Sequence, residues 1–252
     1  MVHEGIQSAL IIEDDADWDV MLKSQLVEFA RGSRYILGSP APTHSPYGDN
    51  WDILWFGHCG AINRMKEDHK AYVIQNDPTV IPVHLRIFPS RRPNMTPPAL
   101  HGNNTRVIFS PQRALCTASY AISLRGAQKL LYDQAMTDRG VVIDRGISNL
   151  CSKDSQALCI APYPAMFGSF RAPGNASRDS DIADKASKVR KVGNTEMIAH
   201  PVRLNLDRFL AGERSFKSQW PKDTLMPEVE LAMELPRGRQ EYLTKDQFLD
   251  VY

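Results

Sequence analysis

The feature that most constrains this chain is a succession of short apolar runs, each closed by a turn residue or an acid, with helix-patterned stretches between them. SALIIE (8–13), WDILWFG (51–57), AYVIQND (71–77), RVIFS (106–110), CTASYAIS (116–123) and ALCIAPYPAMF (157–167) have strand length and strand composition. Residues 16–30 put Trp18, Leu22, Leu26 and Phe29 on one stripe, which predicts a helix. Ser123 is placed to cap a second helix whose Leu124, Ala127 and Leu131 share a face. The GVVID run (140–144) leads into a third helix over 145–152, and 201–211 reads as a fourth. Strands alternating with helices specify an α/β domain. The strand at 8–13 is apolar on both faces and is therefore expected inside the sheet. Residues 32–50, the proline-rich 78–104 and the polar 171–191 read as loops, and 213–252 as a loosely packed tail.

With 252 residues and 42% apolar content, one large domain is expected. A net charge of +1 gives no broad electrostatic case for nucleic acid or an anionic membrane. No segment approaches the roughly 18 consecutive apolar residues of a membrane span. Met1-Val-His-Glu lacks the apolar stretch of a signal peptide. The four cysteines, Cys59, Cys116, Cys151 and Cys159, form no C-x-x-C pair, which argues against structural zinc. Cys151 and Cys159 are close enough in sequence to pair, but buried free thiols are the preferred reading. Sequons at Asn94, Asn103 and Asn175 suit a secretory lumen and also arise by chance, so the compartment stays open.

The end of the first strand carries the chemistry. Glu13, Asp14, Asp15, Asp17 and Asp19 crowd behind four apolar residues. Asp17 and Asp19 fit the first turn of a helix, where acids gain roughly 0.3–1 kcal/mol from the dipole. Glu13, Asp14 and Asp15 precede it and are read as functional. A phosphoacceptor receiver domain would need a carboxylate at the end of a later strand, where this chain has Gly57 and His58. A nucleotide-sugar transferase fits better, because it uses an acid-x-acid pair to hold a divalent cation. Two carboxylates about 4 Å apart repel by about 4 kcal/mol at an effective dielectric near 20. A hard cation offsets that repulsion and neutralises a departing diphosphate. Glu13 and Asp15 have that spacing.

Several stretches together resemble glycosyltransferase family 25, the lipooligosaccharide and collagen galactosyltransferases. They are ALIIEDDADWD, WDILWFG, TASYAISLRGAQKLL and VVIDRGISNLC, followed by RDSDI and VRLNLDRFLAG, which look like the fungal branch. The resemblance covers roughly residues 5–212 and implies a GT-A-like mixed sheet flanked by helices. It also implies inverting transfer of a hexose, usually galactose, from a UDP-sugar to a glycan or glycoprotein, assisted by Mn2+. On this resemblance Glu13 and Asp15 hold the metal and Asp14 and Tyr120 contact the donor. Asp144 becomes the base that takes the acceptor hydroxyl proton, although an N-cap role fits it almost as well.

Family members carry a nucleotide-binding strand–helix unit ahead of the acidic motif. Only twelve residues precede Glu13 here, so the expectation is a domain incomplete at its N-terminus. The strand at 8–13, central in the family's sheet, is then expected to lie beside an unpartnered edge. If an upstream segment exists, a secretory lumen is the implied compartment; otherwise the cytoplasm is. The alternative is a catalytically inactive glycosyltransferase-like fragment or a glycan- or partner-binding module. His58 reads either as a diphosphate contact or as a satisfied buried histidine. Asp181, in the second acid-x-acid motif, is a candidate to close over the donor. Arg91, Arg92, Lys185, Lys188, Arg190 and Lys191 read as solvated charge or as lid contacts to a diphosphate.

Overall fold

The computed structural model describes residues 1–39, 41, 44–63, 68–86, 104–136, 141–152, 157–179, 189–223, 226–231 and 233–244. The first half of the chain supplies β1 (Ser8–Ile12), β2 (Ala16–Trp18), α1 (Leu22–Leu37), β3 (Ile53–Gly57), β4 (Ala61–Asn63), β5 (His69–Ile74), β6 (Arg106–Phe109), β7 (Pro111–Ala114) and β8 (Ser119–Ser123). There follow α2 (Leu124–Ala135), α3 (Ile143–Ser152), β9 (Cys159–Tyr163), β10 (Phe167–Arg171), β11 (Gly174–Asn175), β12 (Val189–Arg190) and β13 (Asn194–Thr195). The last elements are α4 (Leu206–Leu210), β14 (Ser215–Phe216), β15 (Val229–Glu230) and β16 (Arg239–Leu243).

The main sheet is mixed and seven-stranded, in the order β1-β8-β3-β9-β6-β5-β16. Only the β3–β9 pairing is parallel; the other pairings are antiparallel. Every position of β3 is buried, because side chains alternate between faces and both faces are covered. Ile53 and Trp55 join Ile147, Leu150 and Leu130 of α3 and α2 on one side. Leu54 and Phe56 join Phe29 of α1, with Trp51 and Phe167, on the other. Gly32 lets α1 lie close to the sheet: a Cβ there would come 2.9 Å from atoms of both Ile108 and Tyr72. Ser123 caps α2 as its position predicts, its hydroxyl accepting the Gly126 N–H at 3.0 Å.

Two deeply buried charged groups of the core are each held by several partners. Asp52, at the entry to β3, accepts from Arg125 at 2.7 Å, Lys129 at 2.8 Å and the Leu158 N–H at 2.8 Å. Arg106, 2% exposed, donates to Asp77 at 2.8 Å, the Pro164 carbonyl at 2.7 Å and the Thr79 hydroxyl at 3.0 Å.

Four expectations are corrected. β1 is not a buried strand: among the described residues it lies at the edge of the sheet and pairs with β8 alone, and Leu10 and Ile12 are 53% and 43% exposed. The helix expected over 16–30 starts at Leu22, because Ala16–Trp18 pair with Phe167–Ser169 as β2. The cysteines are not free thiols. Cys59 is bonded to Cys116 and Cys151 to Cys159, with Cα–Cα separations of 5.5 and 5.7 Å. The described part of the C-terminal stretch, up to residue 244, is not a loosely packed tail. Phe216 and Val229 are buried with Val20 and Met21, and β16 completes the far edge of the main sheet. Residues 91 and 92 lie outside the described residues, as do 94 and 103.

Candidate functional site

The acids after β1 part company. The Glu13 N–H still bonds the Ala118 carbonyl at 3.0 Å, extending the ladder by one residue, and the Ala16 N–H then closes a turn onto the Glu13 carbonyl. On that turn Glu13 and Asp14 are exposed and Asp15 half-exposed, while Asp17 and Asp19 are each 1% exposed. The buried pair is structural, as expected, but not through a helix dipole. Asp17 accepts the Thr195 hydroxyl at 2.7 Å and the Trp18 N–H at 2.9 Å. Burial pushes its carboxyl above the usual range, against those bonds and the nearby Arg203. Asp19 accepts from the Met21 N–H at 2.9 Å and the His200 N–H at 3.0 Å. For His200 itself, burial works against the charged ring. The hydrogen bond and charge of Asp19, helped by the Pro227 carbonyl and Asp77, still carry its pKa above the ordinary value.

Glu13, from the acidic run, and Asp144, from α3, meet at the segment between β7 and β8. Glu13 accepts the Thr117 hydroxyl at 2.6 Å. Asp144, in the first turn of α3, accepts the adjoining Cys116 N–H at 3.1 Å and its neighbour's Arg145 N–H at 2.6 Å. Tyr120, half-buried on β8 opposite Ile11, has its phenol pKa raised by burial and then by the charge of Glu13. Cys116 is the node of this cluster. Its φ of 66° lies in the left-handed region, which costs a non-glycine residue of order 1 kcal/mol and clusters at working sites. The disulfide to Cys59, the Asp144 carboxylate and the Trp55 indole N–H on its carbonyl at 2.8 Å hold it there.

Asp15 faces a different partner. It accepts from Arg171 Nη1 at 2.9 Å, and the same guanidinium reaches Glu196 at 3.2 Å. Arg203 donates to the Asp14 carbonyl at 3.0 Å and lies 4.8 Å from the Phe170 ring centroid. As placed, Glu13 and Asp15 do not fit a divalent cation: one is engaged by Thr117, the other by a guanidinium already supplying positive charge. Among the described residues, no three His, Cys, Asp or Glu side chains are grouped as a metal site requires.

His58 is held in the interior. Its Nε2 bonds the Pro162 carbonyl at 2.7 Å and its Nδ1 the Gly60 N–H at 3.1 Å. Burial lowers its pKa to about 4, against the Pro162 bond, so the ring is neutral. Both nitrogens are committed within the chain. Asp179, which opens the second acid-x-acid motif, pairs with Arg190 at 2.7 Å, while Asp181, Lys185 and Lys188 lie outside the described residues. Sequence reasoning missed Arg171, Thr117 and Arg203. Of these only Arg171 carried a signal, a lone cation closing the apolar strand FGSFR before Ala-Pro-Gly.

Beside β1, on the α1 face, an apolar cleft of about 320 Å3 is lined by Leu10, Leu26, Tyr47, Trp51, Phe56 and Phe167. No helix among the described residues is long and apolar enough to cross a membrane. Comparison with protein-family models, curated proteins and solved structures found no match to the chain.

Proposed function

We propose that this chain is a glycosyltransferase, moving a hexose, galactose by the family 25 resemblance, from a UDP-sugar to a glycan or glycoprotein with inversion. The observation carrying this reading is the convergence of Glu13, Tyr120 and Asp144 on Cys116–Tyr120, around a strained, thrice-anchored backbone. Inversion takes one displacement. The acceptor hydroxyl loses its proton to a base, its oxygen bonds to the anomeric carbon, and the bond to the diphosphate breaks with UDP departing. Asp144 is the proposed base, oriented by the two N–H groups it accepts. Tyr120 and Asp14 are the proposed donor contacts. Mn2+ belongs to the same proposal, but Arg171 would have to release Asp15 for Glu13 and Asp15 to hold it, and no step is assigned to it. Two disulfides closing all four cysteines favour maturation in an oxidising lumen.

The test is UDP release from UDP-galactose. Asp144→Asn should lower turnover at least about a hundredfold while changing donor affinity little. Equal turnover by the variant would remove Asp144 from the chemistry. A second reading, a glycan- or partner-binding module without turnover, rests on the Asp15–Arg171 pair and on the Trp51–Tyr47 cleft beside the open β1 edge. Saturable glycan binding without UDP release at any manganese concentration would favour it.

A further inference from the structure

A second cavity, of about 480 Å3, opens between the C-terminal half of α1 and strands β5 and β16. It is lined by Arg31 and Arg34 of α1, Lys70 of β5 and Arg237 just ahead of β16, with Tyr35 and Tyr72. Four cations from three separate chain segments meet here in a protein whose net charge is only +1. Among the described residues one carboxylate pairs with any of them. Glu28, its side chain 3% exposed, pairs with Arg31 and accepts the Tyr72 hydroxyl at 2.8 Å and the Gly238 N–H at 3.0 Å. The other three cations have no carboxylate partner among the described residues. Arg34 donates to the Pro46 carbonyl. Lys70 donates to the Tyr35 carbonyl at 3.4 Å and sits 5.5 Å from the Tyr35 ring centroid. Arg237 is exposed at the rim. The negative end of the α1 dipole accounts for a cation at Arg34, but not for Lys70 or Arg237, which come from elsewhere in the chain.

At about 1.5 Å per residue, Arg34 lies roughly 18 Å along α1 from Leu22, so the cavity is remote from the acids after β1. It is concave and walled by phenols, which suits a compact ligand rather than a polymer. The excess of positive charge matches two or three negative charges, and guanidinium forks match phosphate oxygens. We propose that this cavity binds a small phosphorylated ligand, a phosphate monoester or a diphosphate, independently of the acidic site.

The test is calorimetric titration of the whole chain with pyrophosphate and with inorganic phosphate at about 0.15 M salt, where diffuse attraction is screened beyond about 8 Å. Pyrophosphate should bind with a Kd below about 1 mM. Arg237→Ala and Lys70→Ala should each weaken it about tenfold, since a charge-assisted contact is lost. Lys217→Ala, an equal loss of charge at an exposed position outside the cavity, should leave it unchanged. No heat at about 10 mM pyrophosphate would overturn the proposal. So would equal weakening by all three variants, or binding confined to polyanions such as a heparin oligosaccharide.

Discussion

Acidifying the protein should unload stability through His58 in a window that the structure defines. The ring is enclosed, donating to Pro162 and accepting from Gly60, and its pKa falls to about 4 from the ordinary 6.5. Because the folded value is depressed, the unfolded chain takes up the proton first as pH falls below about 6.5. Stability is therefore lost between about 6.5 and 4, and no further loss from this group follows below 4. At about 1.4 kcal/mol per pH unit, the loss is roughly 3 kcal/mol, a large part of the 5–15 kcal/mol that typically holds a domain together. The assay is urea unfolding of the wild type and His58→Gln at a series of pH values between about 7 and 4. Only the difference between the two curves is read, since Asp17 and His200 titrate in both. The wild type should lose about 3 kcal/mol more than the variant across that range. Parallel curves would refute the buried, neutral assignment. They would also return His58 to consideration as a charged diphosphate contact.

The disulfide between Cys59 and Cys116 closes a 57-residue separation, and on the chain-entropy account its replacement by serines costs about 4 kcal/mol. Chemical denaturation of Cys59→Ser/Cys116→Ser checks this, and an unchanged midpoint would contradict it. Asp77→Ala leaves Arg106 buried without its carboxylate and should cost about 3–5 kcal/mol; a loss near zero in thermal unfolding would mean that the pair is dispensable. The β1 edge exposes Leu10 and Ile12 beside backbone groups that have no strand partner among the described residues, an arrangement that favours strand addition. Size exclusion should show self-association that Leu10→Lys reduces, and a strictly monomeric wild type would count against it.

Much of the sheet was legible in the sequence because β3, β9 and the Val107–Phe109 part of β6 are predominantly apolar runs, as suits strands covered on both faces. The same logic failed for β1. Leu10, Ile11 and Ile12 read identically whether a second neighbour covers them or not, and the neighbour is a matter of topology. Trp18, Leu22, Leu26 and Phe29 do fall on a helical stripe, yet Trp18 pairs with Phe167 on β10, a partner about 150 residues away that local periodicity cannot announce. The tail was misread because its strand β16 is polar at most positions, as suits an edge. Disulfide pairing depends on Cα atoms coming within about 7 Å, which no spacing of 57 residues reveals. In the acidic run, composition marked the place, but the division into buried Asp17 and Asp19 and outward Glu13 and Asp14 follows from the turn at Ala16 and from β10 and His200 closing behind it.

The claim on which the account turns is that the surface around Glu13, Tyr120 and Asp144 handles a UDP-sugar. The direct measurement is UDP release from UDP-galactose by the purified chain with and without manganese, alongside calorimetric titration of UDP, for the wild type, Asp144→Asn and Glu13→Gln. Saturable UDP binding should be weakened by Glu13→Gln, and UDP release should be abolished by Asp144→Asn in a variant that still binds UDP. A folded wild type that neither binds UDP nor releases it from UDP-galactose would contradict the account.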